Sequence, residues 1–69
     1  MKIYVAKDLE FSDIVCVGID YDAVINYLLE TSLGEFHYGI YVKEVDTNEV
    51  ISICDIDNDC QLIKEIITE

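Results

Sequence analysis

The chain has no arginine, no proline and no tryptophan, and its 69 residues include only three glycines, three cysteines and one histidine. Each shortage removes a class of chemistry. Without arginine, and with four scattered lysines, direct nucleic-acid binding is electrostatically disfavoured, because phosphate contacts require a basic patch. Gly18, Gly34 and Gly39 are isolated, so there is no glycine-rich loop to cradle a phosphate. His37 has no serine or cysteine motif beside it to make a nucleophile–base pair, and no enzymatic activity is expected. No apolar run approaches a membrane span, and Met1–Lys7 lacks the stretch of about 7–15 apolar residues that a signal peptide uses. Cys16, Cys54 and Cys60 are odd in number, and even with His37 their spacing matches no tight zinc pair. Free thiols in a reducing cytoplasm are the expectation, with no metal and no cofactor.

What the chain has in excess is negative charge. Fifteen Asp and Glu residues against four Lys leave a net charge of −11. That exceeds the about 2 to 8 units that keep a small domain soluble, and self-repulsion opposes the compact state. Disorder does not follow, because 52% of the residues are hydrophobic and five are tyrosines, enough to bury a core. Residues 1–69 form one domain. Ordering a chain of this size costs on the order of 100 kcal/mol at ~1.5 per residue, which apolar burial only just offsets, so self-association as a homodimer is expected.

The hydrophobic pattern changes period along the chain. Lys2–Lys7 alternates, with Ile3 and Val5 on one face, and Ile14–Ile19 is β-branched enough for a second strand paired with it as a hairpin. Tyr21, Val24, Ile25, Leu28 and Leu29 sit at helical spacing, Asp20 can cap the first turn and Gly34 follows the end, which predicts a helix over 21–32. His37–Val45 alternates again, with Tyr38, Ile40 and Val42 on one face and His37, Tyr41 and Lys43 on the other. After the polar stretch Asp46–Glu49, Val50–Ile56 predicts a fourth strand and a second hairpin. Asn58 or Asp59 then offers a cap for a short C-terminal helix striped by Leu62, Ile63, Ile66 and Ile67. The predicted order is ββαββα, an α+β fold with two helices packed on one face of a small antiparallel sheet.

Met1-Lys2-Ile3-Tyr4-Val5, Glu10-Phe11-Ser12-Asp13 leading into a strand, the helix from Asp20 to Leu29, and Tyr38 to Glu44 together resemble a group of short uncharacterised proteins from phages and Gram-positive bacteria. Those proteins open with a strand, a Tyr/Phe-Ser-Asp turn, a second strand and a helix. The similarity spans roughly residues 1–45, and the charged helix usual in that group is replaced here by the apolar Ala23–Leu29. What the resemblance implies is a phage-like origin and a place in the host cytoplasm. It transfers no catalytic residue.

Two partner surfaces are legible. Glu44, Asp46, Glu49, Asp55, Asp57 and Asp59 gather around the predicted second hairpin and its exit, and Asp8, Glu10, Asp13, Asp20 and Asp22 flank the first hairpin and the helix start. Duplex DNA carries one charge per ~1.7 Å of axis, and such clusters suit an inhibitor that mimics DNA charge on the basic surface of a host defence or nucleic-acid-processing protein. The alternative is a structural homodimer acting through apolar contacts, with Tyr27, Leu28, Ile63 and Ile67 at its interface, or a dimer that sequesters a small molecule. Asp55, Asp57 and Asp59 have the spacing of the first calcium-loop ligands, but Cys60 stands where the loop needs glycine and Ile66 where it needs a bidentate glutamate. Calorimetric titration at neutral pH should therefore show no micromolar calcium binding.

Overall fold

The computed structural model describes residues 1–32, 34–46 and 60–68. They form β1 (Lys2–Asp8), β2 (Asp13–Gly18), α1 (Tyr21–Thr31), β3 (Phe36–Glu44) and β4 (Gln61–Thr68). The strands make one sheet in the order β2-β1-β3-β4, with every neighbouring pair antiparallel.

The expected first hairpin is present. Asp8 builds its turn by accepting from the N–H groups of Glu10 (2.9 Å) and Phe11 (3.3 Å), and the Ser12 N–H donates to the Asp8 carbonyl (2.7 Å). Ser12 closes the turn at φ +61°, in the left-handed region. Asp20 caps α1, its carboxylate accepting from the N–H groups of Asp22 and Ala23. At the other end, the Ser32 N–H and hydroxyl both donate to the Leu28 carbonyl, and a hydrogen bond between the Ser32 hydroxyl and the Tyr38 phenol oxygen at 2.9 Å ties the helix end to β3.

Each face of the sheet carries its own cluster. On the helix face Ala6, Val24, Leu28, Tyr38 and Ile40 are buried, with Tyr4, Cys16, Tyr21, Ile25, Phe36 and Ile66 packed around them. On the opposite face Ile3, Val5 and Val45 are buried against Ile14 and Tyr41. Gly39 is where that face allows its closest approach. A Cβ there would meet Leu9 Cδ2 at 2.9 Å, Tyr41 Cε2 at 3.0 Å and Leu62 Cδ1 at 3.2 Å.

The C-terminal helix is corrected by the pairing of Gln61–Thr68 with β3, so the architecture is not ββαββα with two helices. Among the described residues there are four strands and one helix. The spacing of Leu62, Ile63, Ile66 and Ile67 misleads because β4 carries an irregularity: Ile40 faces Lys64 but Tyr41 faces Leu62, leaving Ile63 as an extra residue. The bulge puts Leu62 and Ile67, an odd number of positions apart, on the same face, so the period of two is lost from the sequence. Isoleucines and a terminal threonine also favour a pleated strand over a helix. The predicted strand Val50–Ile56 and its hairpin lie outside the described residues.

Leu28 is fully buried, so Leu28→Ala should cost about 2–5 kcal/mol in urea-induced unfolding. Ile67→Ser, at a side chain 71% exposed, should change stability by less than about 0.5 kcal/mol.

Candidate functional site

The order β2-β1-β3-β4 brings three separated stretches of chain to one end of the sheet. Asp8 pairs with Tyr38, so the turn after β1 lies beside the start of β3, and Phe36 pairs with Thr68, which adds the end of β4. Between them is an open cleft of about 330 Å³, lined by Glu10, Glu35, Phe36, His37, Ile67 and Thr68.

Hydrogen bonds fix its walls. The Leu9 N–H donates to the His37 carbonyl at 2.9 Å and anchors the turn to β3. Thr68 works in two directions: its Oγ1 accepts from the Phe36 N–H at 3.0 Å and its O–H donates to the Gly34 carbonyl at 2.9 Å. Gly34 sits at φ +97°, a conformation that side-chain-bearing residues rarely adopt, so this clasp needs glycine there.

The electrostatics of the cleft are one-sided. Glu10 and Glu35 are exposed, and neither carboxylate has a hydrogen-bond or ion-pair partner among the described residues. His37 Nε2 lies 3.7 Å from Glu65 Oε2, too far for a hydrogen bond. Although the His37 side chain is 44% exposed, Nε2 itself is shielded from solvent and has no hydrogen-bond partner. An ion pair here forms only with protonated imidazole, and its two partners are wet enough for it to contribute little.

Of the six residues expected to bind a partner, Glu44 and Asp46 are among those described. Glu44 Oε1 accepts from the Met1 ammonium at 3.1 Å, and Asp46 is exposed just beyond β3. Glu49, Asp55, Asp57 and Asp59 lie outside the described residues. Asp20 and Asp22 stand at the opposite end of the first hairpin from Glu10, because Gly18 pairs with Tyr4 while the turn follows Asp8. Of the expected dimer contacts, Tyr27, Ile63 and Ile67 are exposed. Leu28 is not: it is enclosed between α1 and the sheet and offers no surface to a partner.

Sequence reasoning missed the cleft, since Glu10, Glu35 and Thr68 meet only through the β1–β3 and β3–β4 pairings. Nothing in their local spacing signals it.

Cys16 is half-buried within the helix-face cluster, and burial pushes its thiol upward, away from the thiolate a nucleophile requires. Among the described residues, no group of three or more His, Cys, Asp or Glu side chains is arranged to hold a metal ion. No helix among them is long and apolar enough to cross a membrane. Comparison with protein-family models, with curated proteins and with solved structures finds no match.

Thr68→Val keeps the shape of the side chain and removes both clasp hydrogen bonds. It should lower stability by about 1–2 kcal/mol. Hydrogen exchange should locate the loss, with the Phe36 amide exchanging faster while amides at the centre of β1 keep their protection.

Proposed function

We propose that this chain is an acidic binding protein that occupies a basic surface on another protein, as a mimic of nucleic-acid charge. The carrying observation is the uncompensated charge: if all four lysines each neutralised one carboxylate, eleven of fifteen would remain. These charges are held outward. Of the ten Asp and Glu residues among the described residues, nine are exposed and Asp8 is half-buried, and none of these residues places a charged group in the core. A rigid sheet carrying carboxylates at both ends presents a fixed polyanionic surface, which accelerates and orients association with a basic patch. The resemblance of residues 1–45 to short phage proteins supports a target in the bacterial host, where a protein that normally holds DNA or RNA has the required surface.

A second reading, an apolar homodimer, draws on Phe11, Ile19 and Ile67, which are 67%, 71% and 71% exposed. Light scattering tests it: a mass of 7.9 kDa at tens of micromolar excludes the dimer.

Binding through carboxylates should weaken steeply with salt, because surface charges are screened over ~8 Å at physiological ionic strength. Host proteins retained on the immobilised chain at low salt should be basic, should be displaced by duplex DNA and should elute as salt rises. A variant with Glu10, Asp13, Glu35 and Asp46 changed to Gln or Asn should retain them poorly, while its own stability is unchanged or slightly raised as self-repulsion falls. Salt-insensitive retention that the variant shares and DNA does not disturb would remove the mimic reading.

A further inference from the structure

A polyanionic surface attracts any basic partner, and the cleft at the end of the sheet adds a feature that diffuse charge lacks: a place for one side chain. We infer that the cleft lined by Glu10, Glu35, Phe36, His37, Ile67 and Thr68 receives an arginine side chain projecting from the basic partner. This rests on the charge-mimic reading and specifies where the partner is gripped.

Size, charge, wall chemistry and rigidity agree on that occupant. A volume of about 330 Å³ equals about eleven water molecules at ~30 Å³ each, ample for a long side chain entering from outside. Glu10 and Glu35 reach the cleft from separate parts of the chain, without partners among the described residues, and no lysine lines it, so a cation is favoured and an anion is repelled. The remaining lining includes Ile67, which a hydrated metal ion has no use for but an alkyl stem covers well, beside Phe36, whose ring is stacked on Tyr38 in the helix-face cluster. Ile67, although 71% exposed, lies beside these carboxylates, where an amphipathic cation could cover its methyl groups while the charge stays at the rim. Guanidinium is favoured over ammonium, because it is planar, less strongly hydrated and can present paired donors to a carboxylate. The Thr68 clasp and the Leu9–His37 hydrogen bond hold the walls in place before binding, so little ordering cost falls on this chain.

The test is an NMR titration of the ¹⁵N-labelled full chain with N-acetyl-arginine amide and with its neutral isostere, N-acetyl-citrulline amide. Arginine amide should shift the amides of Glu10, Phe36, His37 and Thr68 with one saturable millimolar isotherm, and citrulline amide should bind at least tenfold more weakly. The double variant E10Q/E35Q should bind arginine amide about tenfold more weakly, with the amides of Ala6 and Ile40 unmoved as evidence of an intact sheet. Shifts of equal size at Asp13, Asp22 and Asp46, or an undiminished isotherm in the double variant, overturn the inference. A parallel titration with an oligoarginine peptide separates this from failure of the wider reading. If the peptide binds wild type and E10Q/E35Q alike, with steep salt dependence, the cleft is not the grip but the polyanionic surface stands. If the peptide does not bind wild type at low salt, both fall.

Discussion

The antiparallel pairing of β1 with β3 is the constraint on which the rest of the structure depends. Seven consecutive residue pairs, from Lys2↔Glu44 to Asp8↔Tyr38, run without a register shift, whereas each of the other two pairings contains one. At its centre Ala6 faces Ile40, both with no measurable exposure, and Val5 beside them on the other face is 1% exposed. Ala6 is small enough to leave room for Val24 and Leu28 of the helix above it. The two strands are far apart in sequence, so their closure carries a loop cost that only this two-sided burial offsets. Once it is made, the first hairpin, the helix and β4 each add to an existing template, and the cleft follows where the hairpin turn, the start of β3 and the end of β4 meet.

Acid residues in this chain divide by task. Asp8 and Asp20 direct their carboxylates to backbone N–H groups, one shaping the turn and the other capping the helix, and Glu44 receives the terminal ammonium. Hydrogen bonds to these anions stabilise the fold and leave less of their charge for a partner. Glu10 and Glu35 have no such internal employment among the described residues. Net charge alone cannot make this distinction, which is why the sequence grouped Glu10 with Asp8, Asp20 and Asp22, although the fold uses them for different purposes.

Legibility followed the range of the interactions involved. The first hairpin, the capped helix and the alternation of Tyr38, Ile40 and Val42 were readable because each depends on neighbours within a few residues. The last element was misread as a helix: the bulge at Ile63 breaks the alternation, and what remains imitates an amphipathic stripe. Leu28 was misassigned to an interface for a related reason, since periodicity identifies the apolar face of a helix but not what that face meets. The cleft was illegible because its walls are brought together only by strand order, and Thr68, which holds it, reads in the sequence as the tail of the expected C-terminal helix.

The irregularity in β2 has a consequence of its own. Ala6 faces Cys16 and Lys7 faces Ile14, so Val15 is an extra residue in a strand that is outermost among the described residues. Val15, Val17 and Ile19 are exposed, and the six residues from Ile14 to Ile19 contain no charge and no proline. A straight strand of that composition would be a nucleus for fibrils, inviting a second copy to continue the sheet indefinitely. The bulge twists the rim and interrupts its hydrogen-bonding rhythm midway, so a neighbouring strand cannot follow it for its full length. In a chain more than half hydrophobic, the bulge thereby works against fibre growth from this rim.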